Sequence, residues 1–110
     1  MKNVFLKHYT FVSEEDSELN TLDTYYFKQE IRGNVYNQTT ELQQKNYGED
    51  IYKVCNIYLN KYIFSLSDIK QKDGIIIDDK KYIVKNILEY TKHVILEVFE
   101  DEFEIYTEKR

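Results

Sequence analysis

The chain has no proline and no tryptophan, three glycines, one cysteine and two histidines. With so few glycines and no proline, its turns must be built mainly from Asn, Asp, Ser and Thr. A single cysteine excludes an intrachain disulfide and a cysteine metal set. That residue, Cys55, lies in the apolar run IYKVCNIYL and reads as a buried thiol. No stretch approaches the length of apolar sequence needed for a membrane-spanning helix. The start, MKNVFLKHYTF, lacks the apolar core of a secretory signal, so a reducing cytosol is the expected site of synthesis. Positive charge is also short. The net charge of −5 argues against a general DNA or anionic-membrane binder. Lys80, Lys81, Lys85 and Lys92 read as a solvated face.

Tyrosine is plentiful, with eleven copies, many beside Ile and Val as strands favour. The length of 110 residues suits one domain, 1–110, with one core. Strand candidates are Val4–Val12, Thr24–Tyr36, Ile51–Asn60, Ile75–Ile77, Lys80–Ile87 and His93–Glu100. In the second, Tyr25, Phe27, Gln29, Ile31 and Gly33 share the more apolar parity, and Gly33 marks a bulge or bend. In the fifth, Tyr82 and Val84 share one face, Ile83 and Ile87 the other. Val94, Leu96 and Val98 form a clean core face in the last. Thr39–Asn46 reads as a helical turn or two, with Thr40 and Gln43 spaced as a capping box and Leu42 as its apolar anchor. Ser67 is a candidate cap for a second short turn. Asp73-Gly74 is a turn signal, and Asp78-Asp79 a tight hairpin corner without the usual glycine. Two stretches are strongly acidic, an excursion at 13–23 and a tail at 100–110. The expected class is mainly β: a small antiparallel β-barrel with one short helical turn and long acidic loops.

No phosphate loop, dinucleotide fingerprint, zinc motif or nucleophile elbow is present, and no enzyme activity or cofactor is expected. His8 and His93 are far apart in sequence, and a solvent-facing role is assigned to His93. Asp101, Glu102 and Glu104 read as a solvated tail rather than a metal site. Tyr52 and Tyr58 lie near Lys53 and Lys61, a weak hint of base stacking set against the acidic whole.

The segments IRGNVYNQTTELQQKNYGEDIYKVCNIYL and DIKQKDGIIIDDKKYIVKNILEYTKHVILEV resemble the small head-completion proteins of long-tailed bacteriophages, called connector, joining or stopper proteins. The likeness lies in Arg32-Gly33 leaving a strand, a helical turn ending near Tyr47-Gly48, the strand Ile51–Leu59, the turn Asp73-Gly74, a hairpin Ile75–Val84 with Tyr82 in its second strand, and a closing strand Val94–Val98. It covers roughly residues 25–99, with Asp78-Asp79 replacing the usual corner glycine. The resemblance implies a homo-oligomeric ring at the virion neck, made in the host bacterial cytoplasm. Its partners would be a portal or adaptor protein and a tail terminator or tail completion protein. Packaged DNA would pass its channel without sequence recognition, and no membrane is involved. The alternatives are a tail terminator and a small β-barrel adaptor that binds peptides. Candidate subunit-interface residues are Tyr36, Leu42, Tyr47, Tyr52, Tyr58 and Tyr82, since rings dominate buried interface cores. The segments 13–23 and 37–50 are expected to order only on assembly.

Overall fold

The computed structural model describes residues 2–15 and 21–107. Among the described residues six strands carry the fold: β1 (Lys2–Glu15), β2 (Thr21–Tyr36), β3 (Val54–Asn60), β4 (Gly74–Ile77), β5 (Lys80–Glu89) and β6 (His93–Glu100). Between β2 and β3 come α1 (Glu41–Tyr47) and a 3-10 helix (Gly48–Lys53), and α2 (Lys61–Ser67) follows β3. Every strand pairs antiparallel with its neighbours in the order β1-β2-β3-β6-β5-β4, and β4 returns to β1, so the six-stranded sheet closes into a barrel.

The expected class needs correction in its helices and loops. Among the described residues two α-helices and a 3-10 helix replace the one short helical turn, which makes this a mixed α/β fold around a six-stranded sheet. The segment 37–50, expected to order on assembly, already contains α1 and the start of the 3-10 helix. Much of the acidic stretch 13–23 is strand rather than loop, because β1 runs to Glu15 and β2 begins at Thr21. Its middle, 16–20, lies outside the described residues.

Pairing is uneven around the wall. β1 and β2 pair along their whole length, from Lys2↔Val35 to Glu15↔Thr21. β1 meets β4 only at Lys7–Tyr9, and β2 meets β3 only at Asn34–Tyr36. The β1–β2 hairpin therefore runs on past the closed wall as an arm.

Strict alternation fails at two lysines, and both failures correct the face assignments made from parity. The β1–β2 register steps from His8↔Gln29 to Tyr9↔Phe27, leaving Lys28 as an extra residue. Gln29, Ile31 and Gly33 thus face the barrel interior, whereas Tyr25 and Phe27 turn outward beside Phe11 and Tyr9. The β5–β6 register steps from Val84↔Val98 to Asn86↔Glu97, leaving Lys85 extra. Ile87 then rejoins Tyr82 against the core, while Ile83 faces out. Such bulges bend and twist a strand, which a closed sheet of few strands requires. Gly33 is not the bulge. A Cβ there would lie 2.9 Å from Leu59 and 3.1 Å from Ile57, so the glycine permits close approach of β2 to the core.

The interior is filled by Leu6, Ile57, Leu59, Ile75, Val84, Val94, Leu96 and Val98, all essentially sealed from solvent. Cys55 lines it as well. Phe64 of α2 and Ile69 just after it pack onto this core, so the β3–β4 connection lids the barrel. Asn60 caps α2, its Oδ1 accepting the Tyr62 N–H at 2.8 Å, while Ser67, expected to cap a following turn, is the last residue of α2 and donates to the Phe64 carbonyl. β4 and β5 join through Asp78 and Asp79 at φ 49° and 68°, the positive-φ pair that a two-residue hairpin turn demands.

A second, smaller core lies on the outside of the wall. Tyr9, Tyr25, Ile83 and Phe103 bury one another there, with Phe11, Ile76 and Ile105 against them. The segment after β6, expected as a solvated acidic tail, is strapped down through this cluster. Phe103 lies on Gly74, where a Cβ would sit 2.7 Å from its ring. Ile105 forms a parallel bridge to Tyr25, and the Tyr26 and Tyr106 rings meet at 4.7 Å.

Candidate functional site

The six candidate interface residues separate into three groups. Leu42 on α1 and Tyr52 on the 3-10 helix stand free, 67% and 76% exposed. Tyr47 and Tyr82 are held within the molecule: the Tyr47 ring stacks on Phe99 at 5.5 Å, and Tyr82 packs against the barrel core. Tyr36 and Tyr58 belong to a row of rings on the outer face of β2, β3 and β6. Tyr36 meets Tyr58 at 4.4 Å, Tyr58 stacks on His93 at 5.6 Å, and His93 stacks on Tyr90 at 4.9 Å. His93 is thus sandwiched between rings.

α1 is anchored by a polar network rather than by Leu42. Gln43, at the third helical position, closes the capping box with Thr40. Its Nε2 donates to Asn56 Oδ1 at 2.7 Å and to Glu97 Oε1 at 2.8 Å. The other carboxylate oxygen of Glu97 accepts from the Tyr47 hydroxyl at 2.7 Å and from Asn86 Nδ2 at 2.8 Å. Asn56 in turn donates to the Gln38 carbonyl and to Gln43 Oε1. Glu97 is 6% exposed and is solvated by these three neutral donors. The network pins α1 and its exposed Leu42 to the barrel wall. Burial, then the hydrogen bond to Glu97 and its charge, push the Tyr47 hydroxyl up to about 12.

A second buried polar site was hidden by sequence distance. His8 and Asp73 are both sealed, with Nε2 2.7 Å from Oδ2. Gln29 Nε2 donates to the Ser67 carbonyl at 2.6 Å and lies 3.0 Å from His8 Nδ1. The amide nitrogen faces the Ser67 oxygen, so its second hydrogen points to Nδ1, which must accept. Nε2 then carries the proton and donates to Asp73. Asp73 also accepts the backbone N–H groups of Phe11 at 3.1 Å and Lys70 at 3.0 Å. The site ties β1, β2 and the α2–β4 loop together, and neither ring nitrogen is open to a substrate. The sequence signal for it was polarity on an inward position of β1, visible only once the strand's faces are known.

Among the described residues, no group of three or more His, Cys, Asp or Glu is placed to hold a metal ion, and no helix is long and apolar enough to cross a membrane. The large exposed groups are apolar and dispersed over separate surfaces. Tyr52 precedes β3, while Tyr62 and Leu66, 70% and 69% exposed and four residues apart on one face of α2, come after it. β3 is seven residues long, so these two surfaces are separated by about 20 Å of strand. Phe5, 60% exposed under the Arg32 guanidinium at 4.6 Å, adds a third on the β1–β2 wall. No family model matches the chain, and no curated protein matches it.

Proposed function

We propose that the chain is a structural subunit of a tailed-phage neck, one copy in a ring that joins the DNA-filled head to the tail and helps retain packaged DNA. The observation that carries this reading is the pair of unlike apolar surfaces at opposite ends of β3, Tyr52 before it and Tyr62 with Leu66 after it. A ring made by rotation needs two different complementary patches on every copy, since its contacts are head-to-tail. The stiff wall between them supports the same reading, because it fixes their separation and angle. The net charge of −5 suits a channel that DNA must leave without being held. Portal or adaptor on one side and a tail terminator or completion protein on the other are the partners in this reading.

The test is immunogold electron microscopy of particles made in the parent host, with antibody against this chain. Gold at the head–tail junction, present on filled heads before tails attach, is the expected result. Gold only on free tail ends would move the chain to the tail-terminator position, and unlabelled particles would overturn the neck reading.

A further inference from the structure

The C-terminal strap is the most peculiar contact in the molecule. It is a short extended segment laid across the outside of an already closed wall. Phe103 fills a cradle made by Gly74, Tyr9 and Tyr25, with ring centroids 5.8 Å from Tyr9 and 4.4 Å from Tyr25. The main chain adds a single bridge, in which the Tyr25 N–H donates to Glu104 at 3.1 Å and the Tyr106 N–H donates to Tyr25 at 2.9 Å. Lys81 Nζ donates to the Phe103 carbonyl at 3.0 Å and pairs with Glu102 at 3.5 Å. An open cleft of about 460 Å³ remains beside the strap, lined by Asp23, Lys72 and Lys85 on the wall side, by Asp101 at the end of β6, and by the strap's own Glu102 and Glu104. The receiving surface is thus aromatic and, with Lys72, Lys81 and Lys85 against Asp23, basic on balance, and the segment it holds is aromatic and acidic.

The strap, from Glu102 onward, is joined to β6 through exposed Asp101 alone, whose N–H donates to the Lys81 carbonyl at 3.0 Å. A short exposed hinge, a self-contained anchor and a groove on a different surface are what segment exchange between copies requires. We infer that the groove over Gly74 is a docking site for the C-terminal segment of a second copy, and that the intrachain strap is the same contact closed on itself. Each exchanged tail leaves its own groove free for another neighbour. Passed on in one rotational sense the contact is head-to-tail and supplies a link for the ring proposed above, on which this inference rests, whereas two copies that swap reciprocally close as a dimer. In the free chain the closed strap shields Tyr9, Tyr25 and Ile83, keeping them from non-specific contact before assembly.

Zero-length carbodiimide cross-linking of full-length wild-type chain tests this directly. Nitrogen-15-labelled and unlabelled chains are unfolded together, refolded as an equal mixture and concentrated. The peptide joining Lys81 to Glu102 is then read by mass spectrometry, since these groups already touch. Exchange predicts a mixed-isotope Lys81–Glu102 peptide in the oligomer fraction, as abundant as the two single-isotope forms together. Single-isotope peptides alone, whether in oligomers or in a chain that stays monomeric, would overturn the exchange. Electron microscopy of the same sample separates the two ideas. Rings with only single-isotope links sink the exchange and leave the ring standing, whereas mixed links in a chain absent from phage necks sink the neck reading and leave the exchange.

Discussion

Residue by residue, the chain places acids where the backbone or a buried partner needs them. Asp79 occupies a positive-φ corner at 68° that an L-residue adopts at a cost. Asp79→Gly is therefore expected to stabilise the fold by about 0.5–1 kcal/mol, after the loss in unfolded-state entropy is counted, as a rise in urea midpoint at unchanged slope. Asp73 is the opposite case. Its two oxygens accept three N–H groups, from His8, Phe11 and Lys70. An Asn in either amide orientation must turn its own N–H toward at least one of them. Asp73→Asn is expected to cost about 1–3 kcal/mol, and an unchanged urea midpoint would contradict the placement of these N–H groups on both of its oxygens. The sequence pointed to Asp73-Gly74 as a turn, but nothing in it tied Asp73 to a histidine 65 positions away.

At the level of elements, α1 shows how a short helix holds without an apolar stripe. Its capping box was legible from the spacing of Thr40 and Gln43, but the outlet for Gln43 into Asn56 and Glu97 was not. Thr40→Ala is expected to cost about 1 kcal/mol and to raise hydrogen-exchange rates in α1 before those in β3. The strap is the second such element. Its acids suggested a solvated tail, whereas Phe103 buries its ring in the outer cluster. Phe103→Ala is expected to cost about 3 kcal/mol, read as a lower melting temperature. Wild-type stability in that variant would mean the strap adds nothing to the folded chain. Strand parity was the least dependable signal here, because one extra residue at Lys28 and one at Lys85 switch the faces of the strand residues on their far side.

For the molecule as a whole, alkaline pH is the sensitive direction. Burial, then the charge of Glu100, pushes the Cys55 thiol from its ordinary 9.0 up to about 12. Burial raises the Tyr82 hydroxyl from 10.0 to about 12, with Cys55, Glu100 and Asp78 adding to it, and Tyr47 moves equally far. Through this window the unfolded chain has lost protons that the folded chain keeps, so unfolding becomes easier as pH rises. The urea midpoint should hold up to about pH 9, the ordinary thiol value, and fall steadily toward pH 12. Tyr82→Phe, which keeps the packing and removes the proton, should flatten that fall. A midpoint independent of pH across the window would show that these groups are not buried as described.

Local chemistry in the sequence was enough to place most strand centres, the α1 cap, the Asp78-Asp79 corner and the apolar face of β6, because each depends on neighbours a few residues away. Four features were decided only by tertiary structure: the outward turn of Tyr25 and Phe27, the sealing of His8 with Asp73, the burial of Glu97, and the strap over Gly74. All depend on which strand lies beside which, and a bulge or a partner across the barrel leaves no mark on periodicity. The interface candidates divided for the same reason. Leu42 and Tyr52 reach solvent, while Tyr47 and Tyr82 are claimed by groups that only the closed sheet brings to them.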